Sequence, residues 1–295
     1  MKKNKILVCI DFQPQSLMGL HQCYDLARFT NSEIVLLYVI ESTDLFSNLF
    51  SLNFDKAKAE VENRLDKVIA DECADSELTF SKVVKSGKVS DCIIETAREV
   101  RARFIIMGKN GSTQGIKKFI GSNTTKVISE SDFPVISVKG KHSIGYKKIV
   151  LPLDLSKSTR ENVASAVSFA KYFGSHIHIV SVHSVGIIFQ ATNLYNRIKK
   201  IEKIFHANDI DCTHQLYKRQ KKDDYEYVLD YAHELNADLI MVMTHQEGRI
   251  NDYYIGAFAH HIINESKVPV LSLTPTLPIE QETMVESLID PFNIF

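Results

Sequence analysis

The sequence predicts two tandem α/β domains, each a five-stranded parallel sheet flanked by helices, and three observations predict it. First, the chain repeats itself: Lys5-Ile6-Leu7-Val8-Cys9-Ile10-Asp11-Phe12 returns as Lys148-Ile149-Val150-Leu151-Pro152-Leu153-Asp154-Leu155. Second, apolar runs alternate with helical periodicity inside each copy, in the order β-α-β-α-β-α-β-α-β. Third, the runs are apolar almost throughout, as in Ile34-Val35-Leu36-Leu37-Tyr38-Val39, which suits strands covered on both faces. Parallel strands need crossover connections, so helices cover both sides of the sheet.

The elements follow in order. The first strand ends in Asp11 and leads into a helix whose apolar face carries Leu17, Leu20, Tyr24 and Ala27; its echo carries Val163, Val167 and Ala170. The second strand, 34–39, returns as 177–182. Ala102 to Met107 returns as Ala237 to Val242, and Asp132 to Val138 as Lys267 to Leu273. Helices are expected near 14–30, 55–72, 89–101 and 122–131 in the first copy. A repeat this long is a duplicated domain and not a solenoid unit. The domains are placed at 1–140 and 146–275, divided by a short polar segment from Gly140 to Tyr146. Residues 276–295 have no counterpart; Met284, Leu288, Ile289 and Phe292 suit a short docked helix, with a disordered extension as the alternative.

Bulk properties exclude several classes. Of 295 residues, 44% are apolar and 24% charged, with a net charge of −1, which fits a globular chain and gives no nucleic-acid or membrane-seeking face. No apolar run reaches the length of a membrane span. Met1-Lys2-Lys3-Asn4 leads straight into the first strand, which is too short for a signal peptide. Cys9, Cys23, Cys73, Cys92 and Cys212 are scattered and odd in number, as expected of reduced thiols in the cytoplasm.

Such sheets take ligands beyond the carboxyl ends of their strands. There the first copy carries Met107-Gly108-Lys109-Asn110-Gly111, then Gly115, then Gly121-Ser122-Asn123-Thr124-Thr125. Backbone N–H groups approach phosphate oxygens closely where no Cβ intervenes. Ser122 is expected as the N-cap of the last helix, whose free N–H groups and hydroxyls would cradle an anion. Lys109 is either an added charge or a solvated side chain. The loop is neither a Walker A motif nor Gly-x-Gly-x-x-Gly.

The glycine pattern resembles the signature of the universal stress protein family, Gly-x2-Gly-x9-Gly-Ser/Thr between the fourth strand and fourth helix, and the resemblance spans nearly the whole chain. It implies Rossmann-like (adenine nucleotide alpha hydrolase-like) domains and an ATP pocket, with magnesium as a companion ion left open. By the same resemblance, Asp11 would meet the adenosine moiety and Val39 the adenine. Met107, Gly108, Gly111, Gly121, Ser122, Asn123 and Thr124 would form the phosphate and ribose loop. Cys9 stands where proline is usual, and Gln13 where serine is usual. The family pairs its domains through the final strands, so the resemblance also implies an intramolecular pseudo-dimer, with a homodimer of chains and a protein partner left open.

The second copy departs from the signature. Met243 stands at the place of Gly108, Gln246 at Gly111 and Ala257 at Ser122, although Asp154 and Val182 remain. Tight ATP binding is therefore expected only in the first copy. His183 and His245 fall near strand ends, but the expectation is no metal, and no catalytic constellation assembles. Three readings stand: an ATP-binding regulatory module, a non-nucleotide-binding interaction scaffold, and a slow ATP-hydrolysing enzyme.

Overall fold

In a computed structural model the described residues are 4–41, 47–73, 77–109, 122–140, 145–155, 159–183, 188–244 and 255–273. They fall into two compact units, Met1–His142 and Ser143–Phe295. In the first unit the chain runs β1 (Asn4–Cys9), α1 (Pro14–Thr30), β2 (Ser32–Glu41), α2 (Ser47–Cys73), β3 (Phe80–Gly87), α3 (Val89–Val100), β4 (Ala102–Gly108), α4 (Ser122–Glu130) and β5 (Val135–Val138). All pairings within it are parallel, in the order β3-β2-β1-β4-β5. The second unit runs β6 (Lys148–Pro152), α5 (Arg160–Phe173), β7 (His176–His183), α6 (Ile188–Ala207), β8 (Cys212–Lys218), α7 (Asp224–Glu234), β9 (Leu239–Met243), α8 (Ala257–Glu265) and β10 (Val270–Leu273). Its order, β8-β7-β6-β9-β10, is the same one, again all parallel. The tandem α/β expectation is borne out. Among the described residues no helix is long and apolar enough to cross a membrane.

The strands form because their side chains can be buried on both faces. Ile6, Leu7 and Val8 of β1 are fully buried, as are Ile34 and Leu36 of β2 and Ile105 and Ile106 of β4. α1 covers one face with Leu20, Cys23, Leu26 and Ala27, a helical spacing that turns one stripe inward. Pro14 opens that helix, where its missing N–H costs nothing. Burying one such leucine stabilises by roughly 2 kcal/mol, and Leu20→Ala would lose that and leave a cavity besides. In the second unit Tyr146, Phe169 and Phe173 close the core with ring centroids 4.7–5.5 Å apart.

Several helices stop at a residue in the left-handed conformation. Asn31 (φ 48°) ends α1, with its N–H returning to the carbonyls of Ala27 and Arg28, and Arg101 (φ 55°) ends α3. Gly174 (φ 57°) ends α5, and Asn236 (φ 51°) follows α7. One boundary differs from expectation: α2 starts at Ser47 and not near residue 55.

Candidate functional site

β1 lies between β2 and β4, and this is where strand order reverses: the chain leaves β1 toward β2 and returns across to β4. A crevice at the carboxyl ends follows from that topology. Cys9, the last residue of β1, is in register with Leu37 and Met107, so Asp11, the end of β2 with Val39, and Gly108 emerge together. Asp11 is exposed beyond the strand. Its Oδ1 accepts the N–H of Gln13 at 2.9 Å, and its own N–H donates to Ser16 Oγ at 3.2 Å. The Ser16 hydroxyl donates in turn to the Gln13 carbonyl at 3.0 Å. The β1–α1 turn is thus tied at three points, and Phe12 at its centre has φ 62°.

Val39 is half-buried in β2, and Met107 is 5% exposed in β4. Gly108 has a tighter constraint than its place beside a ligand. A Cβ there would lie 2.3 Å from the Gln15 carbonyl oxygen and 2.5 Å from the Ser16 nitrogen. The first turn of α1 packs directly on this glycine, and backbone cannot step aside as a flexible side chain could.

Lys109 corrects the reading of a solvated side chain: it is 4% exposed. Its N–H donates to the Val138 carbonyl at 2.7 Å. Burial, helped by the neighbouring Lys139 charge, pulls its ammonium down to about 7. Nothing in the local sequence signals this; the burial comes from packing around the strand end.

Asn123 and Thr124 stand in the first turn of α4, half-buried and buried respectively. Ser122 is the first residue of α4. Gly111, Gly115 and Gly121, like Gln246 and His245 of the second copy, lie outside the described residues, as does the side chain of Ser122.

The second unit arranges the same corner differently. Asp154 is exposed beyond β6, and Val182 is half-buried in β7. Met243 ends β9, and α5 opens at Arg160, six residues after Asp154, whereas α1 opens three residues after Asp11. Thr244, at the place of Lys109, is buried: its N–H and its hydroxyl each donate to the Leu273 carbonyl at 3.0 Å. Its carbonyl accepts the N–H of Gly256, the N-cap of α8, at 3.1 Å, so one donor of that helix end is already taken.

The thiols are quiet. Burial, with Asp11 adding, pushes Cys9 up to about 12, burial pushes Cys23 up further, and Cys212 rises to about 12. Among the described residues no group of three or more His, Cys, Asp or Glu side chains could hold a metal ion.

Comparison with known proteins agrees with the fold and its duplication. The model of the universal stress protein family matches twice, at residues 3–139 and 145–273. Universal stress protein MJ0577 of Methanocaldococcus jannaschii is 29% identical over 156 residues, which cover 47% of this chain and 96% of that protein. A universal stress protein structure from Archaeoglobus fulgidus superposes with a TM-score of 0.73 at 22% identity, covering 94% of this chain and all of the other. A structure described as a putative universal stress protein from Pseudomonas aeruginosa gives 0.62 at 15% identity, over 98% of this chain and 97% of its own. With two matched domains spanning nearly its whole length, the chain belongs to the universal stress protein family.

Proposed function

We propose that the chain is an ATP-binding regulatory module with one working nucleotide pocket, in the first unit. The observation that carries this is the strand-order reversal at β1 and β4, where an exposed carboxylate and a buried amine stand at neighbouring strand ends. The residues suit a nucleotide. Lys109 and the N-terminus of α4 favour phosphate charge, Thr124 adds a hydroxyl, and Asp11 offers an acceptor for the O–H or N–H groups of a nucleoside. Gly111, Gly121, Ser122 and Asn123 would complete the phosphate loop, with Val39 and Met107 as the apolar walls. The occupied form would then present a surface to a protein partner.

The scaffold reading draws on one observation: Gly108 is required by the packing of α1, so one glycine of the signature has a role without any ligand. Gly111→Val and Gly121→Val separate the two readings. Each is expected to abolish ATP binding, measured by titration calorimetry with and without Mg²⁺, without unfolding the chain. Mass spectrometry of nucleotide released from the acid-denatured parent is expected to give about one ATP per chain, since one copy keeps the loop. Unchanged affinity in both variants would remove the pocket assignment, and ADP in place of ATP would favour slow hydrolysis.

A further inference from the structure

Phe12 is the one described residue of the β1–α1 turn with a left-handed backbone, a conformation that bulky side chains rarely adopt. Its ring packs against Tyr38 of β2 at 5.1 Å between centroids, and the guanidinium of Arg64, on α2, sits 3.8 Å over the same ring. Two elements therefore hold the ring, and the ring holds the turn. On one side of Phe12 stands Asp11, whose carboxylate accepts the Gln13 N–H across it. On the other, α1 begins within two residues.

The second unit shows that the fold does not require this device. At the place of Phe12 it has Leu155, which is buried and not among the described residues of positive φ. At the place of Tyr38 it has Ser181, also buried. The strands nevertheless pair alike: Ile10 N–H donates to the Leu37 carbonyl at 2.8 Å, and Leu153 N–H to the Val180 carbonyl at 2.9 Å. Strain held at Phe12 and not at its counterpart Leu155, on an identical strand order, points to function and not to folding.

We infer that Phe12, clamped between Tyr38 and Arg64, is a positioning residue that fixes the Asp11 carboxylate for the nucleoside end of the ligand. The inference rests on the ATP reading above and adds the part of the chain that sets the geometry of Asp11. Preorganisation of this kind lowers the ordering cost of binding and leaves the list of ligand contacts unchanged. The aromatic clamp stores the strain, and the ligand gains from it.

Three variants test it, with ATP affinity and the thermal midpoint of the nucleotide-free protein measured on each. Phe12→Gly accepts the left-handed backbone but has no ring; ATP binding is expected to weaken about tenfold, the loss of one well-placed hydrogen bond. Its thermal midpoint is expected to stay level. Phe12→Tyr keeps the ring and is expected to bind within about twofold of the parent. Arg64→Gln, at an exposed position on α2, removes one jaw and is expected to weaken binding about threefold. It reads the same effect should Phe12→Gly fail to fold. Parent-like affinity in Phe12→Gly, or in Arg64→Gln where that variant must stand in, overturns the inference while leaving the ATP pocket in place. A lowered midpoint with unchanged affinity of the folded fraction overturns it too. A parent that takes up no ATP overturns the underlying reading and the inference together.

Discussion

The two units share one strand order and differ at the corner where β1 and β6 end. In the first, Gly108 lets α1 start close to the strand end, Phe12 is bent into the left-handed region, and a lysine is buried. In the second, Met243 stands in place of the glycine, the helix opens three residues later, and Thr244, in place of the lysine, adds a hydroxyl bond to the Leu273 carbonyl. Among the described residues of this corner, the left-handed Phe12 and the buried lysine belong to the first copy, and Leu155 and Thr244 stand in their places in the second. Strand order alone therefore does not demand a left-handed residue at this place.

Exchanging residues between the copies tests this, and the largest effect is expected at Gly108. Gly108→Met installs the residue of the second copy where backbone already fills the space. We expect a loss of about 3 kcal/mol or more in urea unfolding, since neither Gln15 nor Ser16 can move without lifting the helix. Met243→Gly should change stability by less than about 1 kcal/mol. Equal small losses in both would erase the distinction between the corners.

Next comes Lys109→Thr. With the folded-state value near 7 against an ordinary 10.5, the amine is charged in both states below pH 7, and the cost of burying it stands in full. Between those values the folded protein has released the proton and the unfolded chain has not, so stability climbs as pH rises. The parent is expected to gain roughly 3 kcal/mol from pH 7 to pH 10 through this group, and Lys109→Thr to lose that climb. ATP affinity of the parent should fall over the same window, because phosphate favours the charged amine. An unchanged pH slope in the variant would place the titration elsewhere.

The smallest effect lies at β7, where His178 occupies the place of Val35. His178 is 8% exposed, stacks on His176 with centroids 4.2 Å apart, and shares a hydrogen bond of 2.8 Å with the Thr213 hydroxyl. Burial, then the His176 and Lys148 charges, holds it down to about 4. From its ordinary 6.5 down to about 4 the unfolded chain takes up a proton that the folded one refuses, so stability falls as pH falls. His178→Val, the residue of the first copy, is expected to flatten about 1 kcal/mol of that acid slope. A slope that persists would assign it to other groups.

The fold was legible because the strands must be apolar on both faces, and Ile6 to Val8 or Ile34 to Leu37 have no other solution. Helix bounds were legible where the apolar periodicity stops, as at Pro14–Thr30 and, within one residue, Val89–Val100. The corner was not. The clash that Gly108 avoids and the hold on the Phe12 ring involve groups far along the chain, Gln15 and Arg64, and the burial of Lys109 has no signal in its own stretch of sequence. The capping role expected of Ser122 turns on its side chain, which lies outside the described residues.

The left-handed helix ends carry a longer lesson about the repeat. Asn31 and Gly174 occupy one position of the repeat, Arg101 and Asn236 another, and each pair shares a φ within 10° although no residue is the same. One backbone conformation is met at each position by different side chains. Shape at these corners is what the two copies share, and the amino acid that realises it is the replaceable part.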